Sequence, residues 1–179
     1  MKTKNIFKHF HIINKHRFLV FKLSCKAGIP WRGLVHDLSK YSPTEFFESI
    51  KYYTGDKSPI MGAKEDIGYS NAWLHHKGRN KHHFEYWIDL NAPIKTPVIP
   101  YKYTVEMICD TLAAGLTYQG KNWYPGYQLE YFNTRTDKEQ INEKIIKVLT
   151  EVYEMVEKEG INKTINKKNL KKIYYKYVN

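Results

Sequence analysis

The sequence predicts an all-α, single-domain helical bundle of six to eight helices. Three observations carry that prediction. Apolar residues recur at helical spacing through most of the chain, strand-like alternation is scarce, and Gly and Pro gather in short clusters between the periodic segments. With 179 residues, 42% of them hydrophobic, the chain can bury a core without a disulfide or a structural metal.

The first helix is expected over 5–26, where Ile12, Ile13, His16, Leu19, Val20 and Leu23 share one face. His16 therefore points into the core, and Gly28 and Pro30 end the helix. A short helix over 31–38 follows. Ser42, Pro43 and Glu45 then mark a strong start: Ser42 caps, Pro43 takes the first helical position, and Glu45 completes a capping box. That helix runs to 53. Residues 54–68 hold Gly55, Pro59, Gly62 and Gly68 and read as a loop. A helix from 69 carries Trp73, His75 and His76 up to Gly78, and 81–88 is expected to be helical. Pro93, Pro97 and Pro100 make 91–100 a loop. A helix over 103–119 leads to an aromatic-rich loop over 120–134. Thr136 and Glu139 form a second capping box, opening the last long helix, which Gly160 stops.

Residues 1–160 thus read as one helical domain, and 161–179 as a basic Lys/Tyr-rich tail or helix. Net charge is +11, and six lysines (Lys163, Lys167, Lys168, Lys171, Lys172 and Lys176) lie in that tail without an acid. Interleaved with Tyr174, Tyr175 and Tyr177, they offer a grip on nucleic acid. A solvated terminal helix in a lysine-rich protein is the simpler account. A positive field also steers a phosphorylated substrate toward a site. No apolar run approaches the ~20 residues of a membrane span, and the basic start lacks a secretory apolar segment. No membrane partner and a cytoplasmic location are expected. Cys25 and Cys109 stand alone in apolar helical patterns and are expected as buried, reduced thiols.

Histidine placement is the most informative feature. His16 lies on an apolar face, His36 precedes Asp37, and His75-His76 precede His82-His83. Asp110 is the acid assigned to the late core helix, one turn from Met107 and Ala114. A carboxylate there is costly to bury unless it is paired or bound to metal. A lone core histidine is usually structural, but several together with an acid favour metal. Zinc, manganese, iron and nickel accept imidazole and carboxylate ligands. Adjacent His36 and Asp37 cannot face one way on a regular helix. They can reach one metal if the backbone turns there, or two metals that share Asp37. Two ions ~3.5–4 Å apart would suit in-line displacement at phosphorus.

The seven-residue spacing lets His75 with His82, or His76 with His83, share a face, although Gly78 interrupts. A wet basic surface stretch is the competing reading, and at least one of the four is expected not to be a ligand. HExxH and GxxxxGK[ST] are both missing, which removes support for a zincin peptidase and for a P-loop.

The order His16, His36-Asp37, Asp110 resembles the H…HD…D pattern of the HD superfamily, whose four residues hold a divalent metal inside a helical bundle and which mostly hydrolyses phosphate esters. The intervening histidines look like those of HD members with a second metal. The GYP signature of cyclic-di-GMP enzymes is missing. Lys40 is similar to the lysine of the HDxxK variant, which faces substrate phosphate. The strings HDLSKYSPTEF, AWLHHKGRNKHHFEYW and EMICD look like a group of bacterial and phage-borne HD-like proteins, covering roughly 8–120 and bringing no established reaction.

The resemblance implies a metal-dependent hydrolase acting on a nucleotide, a related phosphorylated small molecule or nucleic acid, with one or two divalent ions. Expected ligands are His16, His36, Asp37 and Asp110, with some of His75, His76, His82 and His83. Asp37, Lys40 and Arg79 are the expected catalytic residues, and Lys40, Arg79 and Asn80 meet the substrate. Arg79 serves equally as a solvated residue, Asn80 as a helix cap, and Glu45 either supports a ligand or only caps. Trp73, Tyr86 and Trp87 suit core packing better than base stacking. Two alternatives stay open: an HD-type di-iron oxygenase, and a non-catalytic, metal-stabilised nucleic-acid-binding module.

Overall fold

The computed structural model describes residues 3–55 and 58–178. Among them are ten α-helices and no strand: α1 (Thr3–Ala27), α2 (Pro30–Val35), α3 (Pro43–Lys51), α4 (Pro59–Ile67), α5 (Asn71–Lys77), α6 (Tyr101–Gln119), α7 (Tyr127–Arg135), α8 (Glu143–Glu159), α9 (Ile161–Thr164) and α10 (Lys167–Tyr177). The all-α expectation holds, and the helix number exceeds the expected six to eight. The surplus has a physical cause. Within the supposed loop 54–68, Pro59 takes the first position of α4 and Gly68 closes it at φ +81, so both residues mark helix ends. In the supposed aromatic loop 120–134, α7 forms because it can bury Phe132 against the core. The stretch 81–88 is not a regular helix; only a 3-10 turn, Phe84–Trp87, forms there.

The core is built around α6, on which Val105, Ile108, Cys109, Leu112 and Ala113 are almost fully buried. Helix α1 packs along it. Helix α8 presents Ile145, Val148, Leu149, Val152 and Val156, a stripe at helical spacing that is buried throughout. Its start differs from expectation: Asn142 caps α8, while Asp137 accepts from the Glu139 N–H of a preceding 3-10 turn. The basic segment past Gly160 forms α9 and α10. Leu170, Ile173 and Tyr174 of α10 join the same core, each such side chain stabilising by roughly 1.5–3 kcal/mol. The Tyr174 hydroxyl donates to the Ile99 carbonyl at 2.9 Å, and the six lysines remain exposed.

Two features of α1 and α2 position the site. Gly33 lets α2 lie directly on α1, because a β-carbon there would come within 2.5 Å of Ser24 Cβ. Arg17 then gathers the open end of α2. Its Nε donates to the His36 carbonyl at 2.8 Å and its Nη2 to the Leu34 carbonyl at 2.9 Å. These are terminal acceptors that the helix itself cannot satisfy. Cys109 is buried as expected, whereas Cys25 is exposed, because it faces outward on α1. Among the described residues no helix is long and apolar enough to cross a membrane.

Candidate metal centre

The centre is organised by a break in the helical path. Helix α2 ends at Val35, His36 takes an extended conformation, and Asp37 sits at φ +53, the one non-glycine positive φ among the described residues. Left-handed backbone is unfavourable for most side chains and tolerated best by Asn and Asp. The turn lets neighbouring His36 and Asp37 converge on one point, which a continuous helix forbids.

The two oxygens of Asp37 face different histidines. Oδ2 lies 3.2 Å from His36 Nε2 and 3.9 Å from His16 Nε2. Oδ1 lies 3.3 Å from both His76 Nε2 and His82 Nε2. Asp110 completes the first set, with Oδ1 3.0 Å from His16 Nε2 and 3.3 Å from His36 Nε2. His83 completes the second. Beside a three-residue group of His36, His82 and Glu106, two overlapping four-residue groups result, His16–His36–Asp37–Asp110 and Asp37–His76–His82–His83, and within each the candidate ligand atoms lie within 4.8 Å of one another. Both have the composition and spacing to hold a metal ion. His36 Nε2, His82 Nε2, His83 Nε2 and Asp37 Oδ1 are buried without a hydrogen-bond partner among the described residues. Native proteins rarely leave such atoms orphaned except where an ion or water takes them. Nitrogen and carboxylate donors fit the borderline divalent transition metals.

Behind the ligands stand two carboxylates. Glu106 is fully buried on α6, one turn before Asp110. Its Oε1 accepts from His36 Nδ1 at 3.2 Å and lies 3.3 Å from His82 Nδ1, while Oε2 accepts from Arg32 Nε at 2.6 Å. Glu45 on α3 binds the Nδ1 of His75 at 2.6 Å and of His76 at 2.7 Å. A carboxylate on the far ring nitrogen fixes the tautomer and turns the other lone pair toward the metal position. Ser42 caps α3 as expected, but the Glu45 side chain does not close the box; it faces the histidines.

Electrostatics follow from this packing. Burial works against the charged form of His36, but the neighbouring Asp37 and Asp110 carboxylates and the hydrogen bond to Glu106 outweigh it and hold the imidazole well above its ordinary range. Asp37 and Asp110 are opposed by burial and nonetheless held well below the usual carboxylate range by the surrounding imidazoles, and Asp37 also by Lys40. Burial likewise resists ionisation of Glu106, yet His36, His82 and Arg32 bring it down to about 2. It is therefore a carboxylate at neutral pH, and the imidazole N–H donates to it.

Of the residues singled out from sequence, His16, His36, Asp37, His76, His82, His83 and Asp110 come together, with Lys40 beside them. His75, Arg79 and Asn80 stand outside these two groups. His75 and His76 point about 100° apart on α5, so only one can face the centre; His75 turns to Glu45 near the surface. His82 and His83 both reach it because they lie on irregular backbone between α5 and the 3-10 turn. Arg79 is exposed, donates to the His75 carbonyl and lines no cavity at the centre. Asn80 donates through Nδ2 to Ser39 Oγ and to the His76 carbonyl, both at 2.8 Å, which braces the α5 end. Glu106 is not among the site residues expected from the sequence; its signal there is the four-residue spacing to Asp110, which puts both acids on one face of α6.

Two cavities meet at the centre. The smaller, about 170 Å³, is lined by His16, Asp37, Lys40, His76, His83 and Asp110 and extends along α1. The larger, about 480 Å³, reaches His82, His83 and Asp110 and includes the cationic Lys64 and Arg135. Trp73 lines both and stacks on His76 with ring centroids 5.9 Å apart.

A family model described as Family of unknown function (DUF5662) matches residues 5–155. No curated protein and no solved structure matches the chain.

Proposed function

Because the chain belongs to DUF5662, a family whose description assigns no activity, we propose a function from the site itself: metal-dependent hydrolysis of a phosphate ester at a two-ion centre of HD type. One observation carries this reading: the buried Asp37 carboxylate divides its two oxygens between two histidine sets at the floor of a cavity. A bridging carboxylate of this kind suits two ions, which when bound supply an activated water and neutralise charge on phosphate oxygens.

The chain's own residues account for the rest. Glu106 holds a proton on His36 Nδ1, and Glu45 holds one on His76 Nδ1, so the opposite nitrogens are free to ligate. Lys40 Nζ lies 2.7 Å from Asp37 Oδ2 and lines the smaller cavity, so its charge is available to a phosphate oxygen. Lys64 and Arg135 line the larger cavity, where Arg135 supplies the planar donor fork expected of Arg79. Trp73 and the apolar wall residues Ile12, Ile13, Pro59 and Ile60 keep water from the ligand atoms.

Metal analysis of gently purified protein beside Asp37→Ala, with a panel of phosphate mono- and diesters, tests the reading. The expected result is two equivalents of metal, lost in a folded Asp37→Ala, and ester cleavage that follows metal content. Failure of the wild type to take up metal after reconstitution refutes it. Iron in both positions, with oxygen-dependent turnover and no ester cleavage, would replace it with the di-iron oxygenase.

A further inference from the structure

The smaller cavity contains a histidine that the metal centre does not use. His9 lies on α1 two helical turns before His16, with Ile12 and Ile13 between them, so all four share one face. Two turns separate His9 from His16 by about 10 Å along the helix axis. His9 is 6% exposed, and both ring nitrogens are buried without a hydrogen-bond partner among the described residues. Its ring leans on aromatic carbon, with Tyr53 at 5.3 Å and Phe46 at 6.0 Å between centroids. Burial, and then the charge of Lys40, pull His9 down to about 4, so at neutral pH it is uncharged. A neutral imidazole offers one donor and one acceptor. Leaving both buried and unpaired is unfavourable, because each has lost its water without gaining a partner. A cavity-lining histidine in that state is built to meet something that enters the cavity.

Size and wall chemistry restrict what enters. The whole cavity, including the part beside the candidate ligands, is about 170 Å³, so the organic group it admits is at most about the size of benzene, which an apolar protein cavity of ~150 Å³ holds. Ile12, Ile13, Pro59, Ile60 and Ala114 supply apolar walls, and Trp73 a flat one. Ser49, Ser58 and Tyr118 add a few polar groups, fewer than the hydroxyls of a polyhydroxylated sugar would need against these walls, whereas a planar ring needs none. At the α1 end that carries His16, the cavity reaches Asp37, Lys40 and Asp110, and His9 stands two turns away.

We propose that this cavity receives the organic group of the substrate, a single ring-sized and largely apolar group with one hydrogen-bonding atom on the edge remote from the phosphate, and that His9 reads that atom. The assignment rests on the phosphohydrolase reading and adds the substrate's shape to it. His9 is a specificity-determining residue here, about 10 Å along α1 from His16.

Binding separates the two readings better than turnover. Metal-loaded full-length protein is titrated calorimetrically with para-carbamoylphenylphosphonate and with para-methylphenylphosphonate, which differ only at the remote edge. The wild type is expected to prefer the carbamoyl probe by roughly tenfold, the worth of one net hydrogen bond in a desolvated site. His9→Phe, which keeps a ring of similar size, is expected to lose the preference, and His9→Gln to retain part of it. Nitrogen NMR of isotope-labelled histidines in the wild type needs no substitution. The His9 ring signals should move with the carbamoyl probe and stay with the methyl one. Equal binding of the two probes to the wild type, or a preference that survives in a folded His9→Phe, overturns the proposal. Should the metal-loaded protein cleave a phosphate ester yet bind neither phosphonate, the cavity assignment falls and the hydrolase reading stands. Should the protein take up no metal, both fall.

Discussion

Glu106→Gln tests how the centre is held. Glu106 contacts one histidine from each set, His36 at 3.2 Å and His82 at 3.3 Å, whereas Glu45 contacts only His76 among the ligands, at 2.7 Å. Replacing the carboxylate by an amide keeps the shape and removes the charge that orients the rings. Loss of such an outer partner weakens metal binding by roughly 10–100-fold. That corresponds to about 1.4–2.7 kcal/mol for each affected ion. Glu106→Gln should therefore weaken both metal positions, and Glu45→Gln only one. Arg32 loses its partner in Glu106→Gln, but its side chain is 28% exposed and water can solvate it, so the metal-free fold should survive. The assay is calorimetric titration of metal-free protein with manganese or zinc, with circular dichroism as the control for folding. Two weakened phases in Glu106→Gln and one in Glu45→Gln are expected. Unchanged affinities in a folded Glu106→Gln, or one weakened phase in Glu106→Gln and two in Glu45→Gln, would refute the reasoning.

Other consequences can be checked together. Burial lowers the His76 imidazole, but Asp37 and Glu45 outweigh it and raise it from 6.5 to about 9. A raised folded-state pKa stabilises the metal-free protein fully below pH 6.5, and that contribution is lost as pH climbs through about 9. Thermal melts of metal-free protein should accordingly fall over that window. Metal loading at neutral pH should release protons, seen as a buffer-dependent heat. Leu170→Ala, at a position 1% exposed, should cost roughly 2–5 kcal/mol in denaturant unfolding, and deleting 161–179 should destabilise the whole chain instead of trimming a tail. Burial pushes the Cys109 thiol up to about 12, so its thiolate is scarce at neutral pH; a thiol reagent should modify one cysteine, Cys25, in the native protein and both after unfolding.

Local chemistry determined much of this protein on its own. Apolar spacing is enough to specify α1, α6 and α8, because a helix must bury its apolar stripe whatever its neighbours are. Adjacent His36 and Asp37 required a turn if both were to reach one point, and the backbone supplies it at φ +53. The candidate ligand types, imidazole and carboxylate, needed no structure to identify them. Elsewhere the outcome depended on residues far apart in the chain. Proline and glycine announced breaks over 54–68 and 120–134 but not that helices would fit between them; α7 exists because Phe132 finds the core. The choice of His76 over His75 follows from how α5 is rolled against α3, where Glu45 meets both rings and only one faces Asp37. The role of Glu106 emerges only when α1, α2 and α6 bring Arg32, His36 and His82 around it. Spacing along the chain reveals which groups share a face of one helix; which groups from different helices share a buried point is decided by packing, and a metal centre is such a point.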